Sequence, residues 1–259
     1  IEKASKHEKY TYLSDFYNNL GLIYKQKGEY DTAYDYFFKQ LEVSEKYNYK
    51  AGKMNGLLNL GNLHGDQSSW EKAVEYYERS LKIAEELDEK NSISCLYGNL
   101  GLAYDVFAVE AVDPDSNIKN FEKAKEYYNK SIELDKELDD LEGLSINYNN
   151  LGNIYKELGK ISDDEINKLD MFKKAEDYLS KSMQISNELD DNLGITWVLS
   201  DLAGLYFALS ESESMNKTEK ETYLKKSIQN GLKAYQSAEE LEAFMIKLNT
   251  SKLLSEVYT

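Results

Sequence analysis

Apolar and small residues recur along this chain at offsets of three, four and seven. Leu57, Leu60, Gly61 and His64 follow that pattern, and so do Tyr148, Leu151, Gly152 and Tyr155. Such spacing places them on one face of a helix. The same block is copied along the sequence as Asn18-Asn19-Leu20-Gly21-Leu22-Ile23-Tyr24, Leu58-Asn59-Leu60-Gly61-Asn62-Leu63-His64 and Gly98-Asn99-Leu100-Gly101-Leu102-Ala103-Tyr104. Tyr148-Asn149-Asn150-Leu151-Gly152-Asn153-Ile154-Tyr155 is the clearest copy and Ser200-Asp201-Leu202-Ala203-Gly204-Leu205-Tyr206 a weaker one; a last trace is Leu254-Ser255-Glu256-Val257-Tyr258. Self-similarity at this scale predicts a solenoid of stacked helical units. The block is helix A of each unit. A glycine inside a helix costs about 1 kcal/mol relative to alanine. Its recurrence predicts close approach by a neighbouring helix.

That neighbour is a second helix, B. It opens with Asp31-Thr32-Ala33-Tyr34, Glu71-Lys72-Ala73-Val74, Glu122-Lys123-Ala124-Lys125 and Lys174-Ala175-Glu176-Asp177. Ala33, Ala73, Ala124, Ala175 and Ser227 are expected to face the glycines. Phe37, Tyr77, Tyr128 and Leu179, one turn later, are expected to fill the core. The step from each small residue to the next block's glycine position is 28 residues in every case, from Ala33–Gly61 to Ser227–Ser255. This fixes the register of each B-to-A joint. Within the hairpin, glycine to alanine is 12 residues in the first two units and 23 or 24 in the last three. The added length is about three helical turns and predicts taller hairpins. Ser68-x-x-Glu71, Ser162-x-x-Glu165 and Asn216-x-x-Glu219 read as capping boxes. Gly28 and Gly159 read as stops of helix A. The expected architecture is one array, with units at about 6–48, 49–89, 91–140, 141–191 and 192–240 and a terminal helix over 241–259.

Leu-Gly-x-x-Tyr in helix A and Ala-x-x-x-Phe/Tyr in helix B resemble the tetratricopeptide repeat along essentially the whole chain. The 40-residue period of the first units resembles the subclass in Pins-type adaptors, kinesin light chains and bacterial signalling proteins. The fold this implies is an all-α, right-handed superhelix. Helix A would line its concave groove, and an asparagine ladder there would hold the main chain of an extended peptide.

On that reading the groove residues are Asn19, Asn59, Asn99, Asn150 and Asp201, which precede the leucine of each block, with Asn18, Asn62, Asn149, Asn153 and Trp197 beside them. Asp15, Leu22, Asn55, Lys156 and Phe207 flank the same face. An amide both donates and accepts, so a row of them pairs with a peptide backbone of any sequence. The alternative is that these amides bond neighbouring helices.

Composition narrows the chemistry. The formal charge is −16, from 47 acidic and 31 basic residues. That opposes nucleic-acid binding, which needs clustered Lys and Arg, and suits a basic protein or peptide partner. No apolar run is expected to approach the roughly 18–20 residues of a membrane span. The one cysteine, Cys95, fits a reducing, cytoplasmic setting. The chain begins Ile1-Glu2-Lys3 without a Met and is expected to belong to a longer or processed protein. Of two histidines, His64 takes a slot filled by Tyr in sister blocks and is expected to pack in the core; His7 is expected to be solvated. Cys95 has no histidine at fixed spacing. Asp113-Pro114-Asp115-Ser116-Asn117 lacks the Gly and Glu of a calcium loop and reads as a turn into a capped helix. No catalytic, metal or cofactor site is expected. The acidic pairs Asp139-Asp140 and Asp190-Asp191 read as solvated ends of helix B, or as contacts for a basic partner. The expected function is a scaffold that binds a peptide or helix of a partner within a larger signalling protein. The alternative is a peptide-sensing arm that controls an attached effector.

Overall fold

The computed structural model describes residues 2–257, with side chains from residue 8 onward. His7's side chain and Tyr258, which closes the last trace of the block, lie outside them. Among the described residues there are eleven helices and no strand. The helices are α1 (Glu2–Gln26), α2 (Tyr30–Lys46), α3 (Lys50–Asp66), α4 (Trp70–Leu87), α5 (Lys90–Glu110) and α6 (Pro114–Glu137). They continue with α7 (Leu141–Ile161), α8 (Glu165–Glu188), α9 (Asn192–Glu211), α10 (Lys217–Glu240) and α11 (Phe244–Val257). Odd-numbered helices are the A helices. The chain forms two compact units, Ile1–Leu134 and Asp135–Thr259.

Turn chemistry sets hairpin height. In the two short hairpins, helix A ends at a left-handed residue, Gly28 (φ 76°) or Ser68 (φ 56°). The next amide then reaches back across the turn: Glu29 N–H donates to the Tyr24 carbonyl at 2.9 Å and Ser69 N–H to that of His64 at 2.8 Å. This is the Schellman closure, and helix B starts at once. In the taller hairpins α5, α7 and α9 end in extended residues instead, Ala111, Ser162 and Ser212. A new cap then starts helix B. Asp113 Oδ1 accepts from Ser116 N–H at 2.8 Å, with Pro114 in the first helical turn where its missing N–H costs nothing. Asp164 accepts from the amides of Ile166 and Asn167. Asn216 and Glu219 form the expected capping box. The other two expected boxes are corrected. Ser68 is a left-handed turn residue, and Ser162 ends α7 while Asp164 caps α8. Gly159 is also corrected: it lies inside α7, where a Cβ would sit 2.5 Å from the Phe172 ring.

The acidic pairs have a structural explanation that charge patterning hid. Asp139 and Asp190 take the left-handed position that ends helix B (φ 53° and 51°). Aspartate tolerates that region better than most side chains. Asp140 and Asp191, next in line, each accept from a glycine amide, Gly143 or Gly194, at 3.0 Å. They are N-caps of the following A helix, where a carboxylate matches the helix dipole.

The recurrent glycine makes room for the side chain one turn beyond the small residue, rather than for the small residue alone. A Cβ on Gly21 would lie 2.4 Å from Phe37, on Gly61 2.6 Å from Tyr77, on Gly101 2.7 Å from Tyr128 and on Gly152 2.7 Å from Leu179. In the fifth hairpin the pair is reversed: Ala203 stands in α9 and Gly231 in α10, and Ser227 Oγ–H donates to the Ala203 carbonyl at 2.8 Å. Within each unit, apolar clusters join a B helix to the next A helix. Phe37 and Leu41 of α2 meet Leu57, Leu60 and Leu63 of α3 in one unit; Phe172 and Leu179 of α8 meet Val198, Leu202, Leu205 and Leu209 of α9 in the other. Burying one such side chain contributes about 1.5–3 kcal/mol. At the open end of the hairpins buried hydroxyls close the gap: Ser14 with Ser44 at 2.8 Å, Ser94 with Ser131 at 2.9 Å and Ser145 with Ser186 at 2.9 Å.

The abundance of tyrosine has a place as well. One ring from helix A stacks on one from helix B in four of the hairpins: Tyr24 on Tyr36, Tyr104 on Tyr127, Tyr155 on Tyr178 and Tyr206 on Tyr223. A cation lies over each pair, from Lys39, Lys130, Lys181 and Lys226. In the second hairpin His64 replaces the tyrosine and stacks on Tyr76 at 5.3 Å, with Arg79 above that ring. Burial, then Lys72, holds the His64 pKa below its ordinary value. The unfolded chain therefore binds the proton more readily, and stability falls as pH drops from about 6.5 toward the depressed value. His64→Tyr should remove this loss. Melting curves of both proteins at pH 7.5 and 5.0 check it, and parallel shifts would contradict it.

Helix α9 corrects the reading of apolar segments. It is long and apolar enough to cross a membrane, with a mean hydropathy of 1.4 over its best window, and 44% of that window is buried inside the protein. Thr196, Ser200 and Asp201 break its apolar run in the sequence. Its apolar side chains Val198, Leu202, Leu205 and Leu209 form the core against α8.

Candidate functional site

The A helices run side by side within each unit, α1 beside α3 and α7 beside α9 and α11 beside α9 in turn. Their amides therefore come within reach of one another, and most are used that way. In residues 1–134, Asn59 donates to Asn18 Oδ1 at 2.7 Å, and Asn18 donates in turn to Asn19 Oδ1 at 3.4 Å. Asn99 donates to Asn62 Oδ1 at 3.1 Å, which also accepts from the Tyr77 hydroxyl at 3.0 Å. Here the amide row ties neighbouring helices together, the alternative reading of the sequence.

Residues 135–259 are arranged differently. Asn149, Asn150, Asn153, Trp197 and Asp201 line one cleft of about 370 Å³ between α7 and α9. Ile146, Val198 and Leu189 supply apolar walls, and Glu142 and Asp191 add carboxylates. Asp201 replaces the asparagine of the sister blocks. Its Oδ2 accepts from Asn149 at 2.8 Å and from Asn153 at 2.9 Å, and Asn153 Oδ1 accepts from Lys156 Nζ at 2.7 Å. Two amides thus hold the carboxylate in one orientation. Asn149 Oδ1 is buried and accepts from no described group. A buried acceptor left in that state costs about 1–3 kcal/mol. Asn150 lines the cleft, and its side chain bonds to no described residue. Trp197 is 39% exposed and Ile146 55% exposed. Sequence reading found Trp197 and the amides but missed Ile146, Glu142 and Asp191. Ile146 and Glu142 precede the repeated block, and Asp191 carries the signal of a cap.

The remaining candidates are separate from this cleft. Leu22 is exposed on α1. Phe207 lines a different cavity with Phe172, Ala208 and Leu253. Cys95 is exposed and forms no disulfide, and Asn99 Nδ2 lies 3.8 Å from its sulfur. Among the described residues no three His, Cys, Asp or Glu side chains converge as a metal site.

The hairpin geometry, with a glycine-relieved A helix on a B helix and a 28-residue joint, defines an α-solenoid of helix-turn-helix repeats. The tetratricopeptide repeat family matches residues 12–86 and 52–105, and again residues 116–138. Those residues carry tetratricopeptide repeats, and the chain as a whole has the fold of such repeats. No curated protein matches it in sequence. Solved structures share its fold. A thermophilic tetratricopeptide-repeat protein of Thermus thermophilus superposes with a TM-score of 0.62 at 16% identity, over 93% of this chain and 98% of that one. A signal-transduction ATPase of Pyrococcus horikoshii with a tetratricopeptide repeat sensor gives 0.65 at 15%, over 96% of this chain and 37% of that one. A Rap protein complexed with competence and sporulation factor gives 0.59 at 14%, over 98% and 64%.

Proposed function

We propose that the chain is a protein-interaction module, and that the cleft between α7 and α9 holds an extended segment of a partner protein. One observation carries this reading. Five side chains picked out from the sequence as groove residues line a single cleft, and the amide of one of them, Asn150, bonds to no described residue. An amide at that place can donate to and accept from a peptide main chain, while Trp197 and Ile146 offer apolar surface to its side chains. The reading assigns no catalysis to the chain.

Random twelve-residue peptides displayed against the protein test it. Asn150→Ala should weaken the selected peptides about tenfold, the worth of one or two hydrogen bonds, at unchanged helicity. Trp197→Ala should weaken them by a similar factor. Peptides held equally well by both variants would place the binding surface elsewhere.

A second reading draws on the likeness to the sensor-bearing ATPase and to the Rap complex. In it the array is a sensing arm, and the bound segment changes the pitch of the stack to control an attached effector. Small-angle scattering with and without a selected peptide separates the two. An unchanged radius of gyration counts against the sensor.

A further inference from the structure

We infer that the cleft between α7 and α9 selects an arginine side chain of the bound segment, seated between the Asp201 carboxylate and the Trp197 ring; this rests on the peptide-binding reading above. The argument is charge complementarity. Three carboxylates, Asp201, Glu142 and Asp191, line the cleft, and no lysine or arginine does. The nearest cation in the network, Lys156, reaches Asn153 instead, with Glu157 at 3.7 Å from the same ammonium. Asp201 is pre-oriented by its two amide donors, which occupy Oδ2 only. Its other oxygen, Oδ1, accepts from no described group. Sister blocks carry asparagine at this position, so the negative charge is particular to this repeat.

The shape of the site favours a guanidinium over other cations. Trp197 and Asp201 are four residues apart on α9 and so share one face, one turn from each other. A planar guanidinium stacks on an indole while its edge N–H groups meet a carboxylate. A compact ammonium cannot do both in one plane. The three carboxylates do not converge on a point that a metal ion would need. Asp191 is already engaged as the N-cap of α9, which leaves Asp201 as the carboxylate that the amides hold toward the cleft. The apolar side chains of Ile146 and Val198 beside Asp201 make a charge-assisted bond there stronger than one made wholly in solvent.

The test uses peptides selected from the twelve-residue display library against the whole chain, measured by fluorescence anisotropy. Cleft binders, defined by weakening on Asn150→Ala, should share an arginine. Replacing that arginine by glutamine should weaken binding about tenfold or more, and by lysine less. Asp201→Asn, nearly isosteric, should weaken the arginine peptide by a similar factor and leave the glutamine peptide unchanged. Raising the salt from about 50 to about 500 mM should weaken only the arginine peptide on the native protein. Cleft binders without arginine, or arginine peptides indifferent to Asp201→Asn, overturn the inference and leave the groove standing. A library that yields no peptide sensitive to Asn150→Ala overturns both. Equal helicity of Asp201→Asn and native protein by circular dichroism excludes misfolding as the cause of any loss.

Discussion

Gly101→Val is expected to destabilise residues 1–134 by about 2–3 kcal/mol, the cost of overpacking a close-packed core. A Cβ at this position would lie 2.7 Å from the Tyr128 ring, which is fully buried. The ring has nowhere to retreat, since Ala124 one turn earlier is buried as well. Alanine removes the helix penalty of glycine, about 1 kcal/mol, yet still places its methyl against the ring, so Gly101→Ala should also lose stability, by less. Gly204 is the control. It lies in α9 one residue past the equivalent position, and a Cβ there would meet only Lys156 Nζ at 3.9 Å. Gly204→Ala should therefore gain about 0.5–1 kcal/mol. Urea denaturation followed by circular dichroism measures all three. A gain from Gly101→Ala would show that the glycine is not there to admit Tyr128.

Phe172→Ala should cost more, about 3–5 kcal/mol, because it removes a large buried side chain and leaves a cavity in its place. Phe172 is 2% exposed and packs against Gly159 in the added turns of the fourth hairpin. It belongs to the cluster that joins α8 to Leu205 and Leu209 of α9. The loss should be local. Hydrogen exchange should accelerate most in the last turns of α7 and the first turns of α8, with the base of the hairpin protected by the Ser145–Ser186 hydroxyl pair. A loss below about 1 kcal/mol, or exchange that rises evenly along α7, would mean that the tall tip is not an ordered extension of the hairpin.

Much of the fold was legible because a helical repeat writes the same period many times. The Leu-Gly-x-x-Tyr face, the small residue of helix B and the taller last hairpins all appear as spacings, and the structure shows each of them. The errors were local and came from turn chemistry. Ser68 and Ser162 fit a capping-box spacing, but the chain needs a left-handed residue at the first and an extended one at the second. Asp139-Asp140 and Asp190-Asp191 looked like bare acidic charge. Each pair ends one helix with its first member and caps the next with its second. No composition rule separates those two uses, because both depend on backbone angles.

The asparagine row was visible as a pattern, but its uses divide according to contacts made far along the chain. Asn59 and Asn99 are satisfied by Asn18 and Asn62, which lie 41 and 37 residues away. Asn150 carries the same sequence signature and lines an open cleft. By itself, the sequence determined the repeat and which face of helix A carries the amides. These follow from the helical period of about 3.6 residues and from small side chains that only fit one way. Only the tertiary structure decided which amides are spent on neighbouring helices, that Asp201 is held by two of them, and that Ile146, Glu142 and Asp191 complete the cleft. Hydrogen bonds form over about 3 Å, and that distance is set by how helices from different hairpins pack, which no spacing along one of them records.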